Sequence, residues 1–157
     1  MRTNREMRRL AQDLVAPLRA PVPEDPEALF SALVESVSAW RGREVVVHRT
    51  VFPPHLATGL WVERADHDLV FVDQRAAPWH QLVIFGHEVW HMHRGAAGGA
   101  RTDFTLADEQ EADRFGMLLG GRLRSWLEAA TETACVTGDA GLARRIGAAL
   151  DHRGTRP

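Results

Sequence analysis

Thiols, tyrosine and lysine are what this 157-residue chain most conspicuously lacks. Its single cysteine, Cys135, excludes an intramolecular disulfide framework and any zinc ribbon built on thiolates. Tyr is absent altogether, so no phenol is on hand to donate a hydrogen bond in a reaction. All 19 cationic side chains are Arg, as codon usage in a GC-rich genome would favour, and against 21 Asp and Glu they leave a formal net charge of −2. That balance argues against a module that grips duplex nucleic acid by bulk electrostatics, so no direct nucleic-acid binding is expected. Long apolar runs are missing too. None exceeds the four residues of Leu82 to Phe85, far short of the roughly 20 residues a membrane span requires. The Arg-rich start, Met1 to Arg9, is followed by Pro17, Pro21, Pro23 and Pro26 rather than by the apolar core of a signal peptide. The expectation is a cytoplasmic protein with no membrane partner.

With 45% hydrophobic and 25% charged residues, the chain has the composition of a globular domain. Its length suits one domain over 1–157, with a core over about 25–130, an N-terminal helix over 1–20 and a C-terminal helix over 139–152. Met7, Leu10, Ala11, Leu14 and Leu18 recur at helical spacing near the start. Asp25 followed by Pro26 predicts a capped helix start, and Gly42 its end. Glu44 to Phe52 is β-branched and stops at Pro53-Pro54. Leu60–Glu63 and Leu69–Asp73 flank a polar turn and predict a hairpin. A helix apolar on every side, hence central and buried, is predicted from Pro78 to about Arg94. Thr105 with Asp108 forms a capping-box pattern that opens a further helix to about Glu128. The order predicts an α+β fold: N-terminal helices, a three-stranded antiparallel sheet, the buried helix and C-terminal helices.

Eight His is a high count for so short a chain. Two of them, in His87-Glu88-Val89-Trp90-His91, lie on one face of the buried helix, so both can ligate a single ion. Glu88 projects beside that face, where it can reach a water on the ion without ligating it. An H-E-x-x-H arises by chance in a chain of this composition about 3% of the time. Its setting makes chance a poor explanation, because two imidazoles and a carboxyl on a buried apolar helix cost free energy unless something satisfies them.

A catalytic tetrahedral site takes three protein ligands and leaves one position for water. With no second Cys, the acids of Asp108-Glu109-Gln110-Glu111-Ala112-Asp113 are the source of the third. The apolar stripe of that helix runs through Ala112, Phe115, Leu118, Leu119, Leu123 and Trp126. Asp108 and Glu111 fall in or beside the stripe, so Glu111 is the expected third ligand, and Asp108 the expected partner of a ligand imidazole. Glu109 and Asp113 fall with Gly116, Gly120 and Arg124 on the face expected to be solvated.

The segment from His87 to His91, together with Glu109-Gln110-Glu111-Ala112-Asp113-Arg114-Phe115-Gly116-Met117-Leu118-Leu119, resembles the ImmA/IrrE family of small metallopeptidases. In that family HExxH is followed by a segment of the type E-x-E-A-N-x-F-A-x-x-L-L. The resemblance extends over about residues 25 to 127. The separation of His91 from Glu111 also resembles that in thermolysin-like gluzincins. The resemblance implies a small gluzincin-like domain with Zn2+ on His87, His91 and Glu111, and Glu88 as general base. This chain departs from the pattern at Trp90, where members often carry Gly and where an indole would narrow the cleft, and at Asp113 and Gly116. The implied activity is a zinc endopeptidase of restricted specificity, acting as a monomer. Its implied substrate is an XRE-type helix-turn-helix repressor in a regulatory or toxin–antitoxin-like pair. The alternative is a non-proteolytic module of such a pair with a structural zinc.

The remaining features carry less. With no Tyr, the oxyanion donor is expected among His or Arg, and His80 lies two turns before His87 on nearly the same face. His93 points away and is expected to be exposed. Gly95 to Ala100 is expected to form a loop bordering the site, and Arg2, Arg5, Arg8 and Arg9 a solvated helix face. Gly59–Glu63 or Leu69–Asp73 is the expected edge strand for an extended substrate.

Overall fold

The computed structural model describes residues 1–18, 25–95 and 104–151, with side chains up to residue 128. The first helix, α1 (Arg2–Val15), buries Met7, Leu10, Ala11 and Leu14, and runs into a short 3-10 turn. The next, α2 (Pro26–Arg41), starts where the Asp25 carboxylate accepts from the Ala28 N–H at 2.6 Å and ends at Gly42, whose φ of 74° closes the last turn. Three strands follow: β1 (Glu44–Thr50), β2 (Gly59–Glu63) and β3 (His67–Asp73). Helix α3 (Pro78–Gly95) comes next, and α4 (Leu106–Asp151) is one continuous 46-residue helix. The separate C-terminal helix expected from 139 is therefore the end of α4, while the side chain of Cys135, and His152 and residues 96–100 of the expected Gly95–Ala100 loop altogether, lie outside the described residues. Among the described residues, no helix is long and apolar enough to cross a membrane.

The fold is α+β, but the sheet is mixed rather than antiparallel. Its order is β1-β3-β2, with β1 parallel to β3 and β2 antiparallel to it. The hairpin forms as expected. After β1, however, Pro53-Pro54 has no N–H to continue a ladder, and residues 51–58 carry the chain to the far edge. This crossing is tied down by the Arg75 guanidinium on the Phe52 carbonyl (2.8 Å) and by the Gln74 N–H on the Thr50 carbonyl (3.0 Å). The result makes β3 central and β2 an edge. Arg64 N donates to His67 O and Asp73 N to Thr58 O, so Thr58, Leu60, Val62 and Arg64 make the ladder pairs. Gly59, Trp61 and Glu63 turn their backbone groups to the open edge.

Helix α3 runs through the middle, with Leu82, Phe85, Val89, Trp90 and Met92 almost wholly buried. Against it lies α4, and the two backbones come closest at glycines. A Cβ on Gly116 would strike the Val83 carbonyl oxygen, and one on Gly86 would come within 3.0 Å of the Gly116 Cα. A Cβ on Gly120 would meet Val83 Cγ2 at 2.8 Å. The face of α4 bearing Glu109, Asp113, Gly116 and Gly120, expected to be solvated, is thus the face that meets α3.

Candidate metal centre

His87 and His91, one turn apart on α3, bring their Nε2 atoms within 3.0 Å of each other. The carboxylate that joins them comes from Glu109. Its Oε2 is 3.2 Å from His87 Nε2, and its Oε1 is 3.0 Å from His91 Nε2. These three residues form the group of potential metal-ligating side chains among the described residues. Two bonds of about 2.0–2.1 Å at a tetrahedral angle span about 3.4 Å, close to the 3.0 Å between the imidazole nitrogens, and one donor atom from each of the three residues lies within 4.8 Å of the others, so the group suits a single small cation.

The hydrogen bonds around the triangle favour this fit. Asp113, one turn beyond Glu109, faces His87 Nδ1 at 2.8 Å. An imidazole donating Nδ1–H to that carboxylate presents a bare lone pair at Nε2. In that tautomer the lone pair points at a carboxylate oxygen and a second imidazole, an arrangement that a cation between them would satisfy. Burial, and then the neighbouring His87, lower the pKa of His91 and favour the neutral ring that can ligate.

Glu111, the expected third ligand, is not brought to the imidazoles, where Glu109 stands instead. The Oε2 of Glu111 pairs with Arg94 at 3.0 Å rather than with the imidazoles. Asp108 is likewise not an imidazole partner. Its Oδ2 accepts from the Thr105 amide at 2.9 Å and from the Thr105 hydroxyl at 2.8 Å, closing the capping box. The signal for Glu109 was present in the spacing 109, 113, 116, 120, which puts two acids and two glycines on one stripe. Hydrophobic patterning gives glycine no weight, yet glycine allows the closest helix approach.

Glu88 lines the same cleft without joining the triangle and is only 7% exposed. Burial, reinforced by the charge of Glu109 and opposed by a hydrogen bond from the Trp61 N–H, pushes its pKa up to about 8. That N–H is one of the outward-facing groups of β2, so the edge strand and the carboxyl lie side by side. Gly59 permits the approach, since a Cβ there would stand 2.8 Å from Glu88 Oε1 and 2.6 Å from Ile84 Cγ2.

The cleft has a volume of about 680 Å3 and runs between β2, α3 and the start of α4. Leu60, Val62, Val83 and Phe104 give it apolar walls, and His80 lies at one end. Seven residues of helix separate His80 from His87 by about 10.5 Å along the axis, so His80 stands away from the triangle. Trp90 does not narrow the cleft. It is wholly buried, stacked on Phe115 with ring centroids 5.1 Å apart. His93 is not simply exposed either: its Nε2 pairs with Glu6 at 2.7 Å, tying α3 to α1. No protein-family model, no curated protein and no solved structure matches the chain.

Proposed function

We propose that this protein is a zinc-dependent endopeptidase of restricted specificity, in which His87, His91 and Glu109 hold the ion and Glu88 is the general base. The observation that carries the reading is the converging triangle of two imidazoles and one carboxylate, with a second, non-ligating carboxyl buried in the same cleft. Two imidazoles and one carboxylate are a donor set suited to zinc with an open position. A zinc ion held by His87, His91 and Glu109 would supply Lewis-acid chemistry, polarising a carbonyl and lowering the pKa of water towards neutrality. Glu88 takes the water's proton on its carboxylate and passes it to the leaving amide nitrogen. The outward backbone groups of Gly59 and the outward carbonyl of Trp61 offer an extended peptide a strand to pair with. The His80 end of the cleft meets residues flanking the scissile bond. From the motif resemblance to the ImmA/IrrE family, the proposed substrate is an XRE-type helix-turn-helix repressor.

A Glu88→Gln protein tests this reading. It keeps the shape of the side chain and removes the base. The expected result is unchanged zinc content, with cleavage of an XRE-type helix-turn-helix repressor offered as substrate reduced by about 10²–10⁴-fold. Undiminished cleavage by a zinc-loaded E88Q protein would remove Glu88 from the mechanism. No cleavage by the wild type of that repressor or of unfolded protein substrates would favour a non-proteolytic module with structural zinc.

A further inference from the structure

The two imidazoles of the triangle are steadied by different means. His87 is held by a hydrogen bond, from Nδ1 to Asp113. The hydrogen-bonding contacts of His91, among the described residues, run from its Nε2 alone, to His87 and to Glu109. What meets the face of its ring is Phe104, with centroids 3.7 Å apart and planes inclined by 24°.

Phe104 immediately precedes Thr105, the capping residue of α4. The cap is reciprocal: Asp108 Oδ2 accepts from the Thr105 amide and hydroxyl, and the Asp108 N–H donates to Thr105 Oγ1 at 3.2 Å. The Glu109 N–H then donates to the Thr105 carbonyl at 3.0 Å, fixing the first turn. In a helix start of this kind, the side chain before the cap and the one four residues into the helix fall next to each other. When both are apolar they staple the turn together. Here they are Phe104 and Glu109, and they converge on the imidazole of His91. Phe104 covers its face, and Glu109 Oε1 approaches its Nε2 at 3.0 Å.

We propose that Phe104 is a positioning residue for His91: its ring, set by the Thr105–Asp108 cap, fixes the plane in which His91 Nε2 meets the metal. It does by stacking for His91 what Asp113 does by hydrogen bonding for His87. The inference rests on the metal-centre reading above and deepens it. One capped turn of α4 thereby supplies both a ligand, Glu109, and the orientation of another ligand.

Zinc affinity of the wild type, Phe104→Leu and Phe104→Tyr proteins, measured by chelator competition, tests the proposal. Leu keeps apolar bulk at a partly buried position but has no flat face, whereas Tyr keeps the ring. The expected result is affinity weakened about tenfold or more in F104L, at the scale seen on loss of a group that orients a ligand, and near wild type in F104Y. Cobalt-substituted F104L should also show a visible spectrum altered from wild type, and F104Y an unaltered one. Wild-type affinity in F104L, or equal weakening in both variants, overturns the proposal. A readout independent of any variant is the His91 ring-proton resonance in the zinc-loaded wild type, which stacking moves upfield. An unshifted resonance also overturns it. Failure of the wild type to bind zinc at all would instead remove the metal-centre reading itself.

Discussion

Asp113 is 71% exposed in its side chain, and its place on the helix gives little hint of a role, yet it sets the tautomer of a ligand imidazole. Exposure makes it a clean site for substitution, because no packing is lost with it. Asp113→Asn retains the shape but weakens the acceptor, so it should reduce zinc affinity by about 10- to 100-fold with little change in unfolding temperature. Chelator competition beside thermal melts checks both halves. An affinity equal to wild type would mean that the contact between Asp113 and His87 does not orient the ring.

Helix α4 shows how an element can be read correctly and faced wrongly. Its start at Thr105 with Asp108 was legible, because capping is local chemistry. So was its apolar stripe: Ala112, Phe115, Leu119 and Leu123 are fully buried. The face toward α3 was not legible from hydrophobicity, because Gly116 and Gly120 contribute contact by having no side chain. That hidden face brings Glu109 and Asp113 to the imidazoles and leaves Glu111 to Arg94. Gly116→Ala puts a methyl group against the Val83 carbonyl, and backbone cannot swing aside as a flexible side chain can. The expected cost is about 1–3 kcal/mol of stability, together with weaker zinc binding as Glu109 is pushed off. Urea unfolding and zinc titration of G116A measure these. A protein as stable and as tight-binding as wild type would show that the crossing is not close-packed.

The sheet was half legible for a similar reason. Alternation and turn residues identify strands and pair β2 with β3, but parallel and antiparallel partners of β3 have the same side-chain period. The direction of β1 is decided by where the Pro53-Pro54 segment takes the chain, which is information about tertiary path. Buried Trp90 illustrates the same limit. Its side chain was tied to the cleft through sequence proximity to His91, whereas the helix turns it toward Phe115.

For the whole molecule, a carboxyl buried at the centre carries a cost in stability. In the metal-free protein the Glu88 carboxyl, with its pKa pushed up from 4.5 to about 8, keeps its proton after the unfolded chain has lost it. Its contribution to stability is therefore full below about pH 4.5 and is lost as pH rises through about 8. His91, whose pKa is lowered, works in the opposite direction and gains stability as pH rises toward 6.5. Comparing metal-free wild type with E88Q isolates the carboxyl. The wild type should lose stability relative to E88Q between pH 5 and pH 8.5, as read by urea midpoints. Parallel profiles would contradict the raised pKa.

One acid completes the set with His87 and His91, and metal content identifies it directly. Glu109→Gln and Glu111→Gln proteins, purified identically and dialysed against zinc, should differ sharply. E109Q should lose bound zinc, and E111Q, deprived only of its contact with Arg94, should keep close to one ion per chain. Zinc retained by E109Q and lost from E111Q would contradict the site described here.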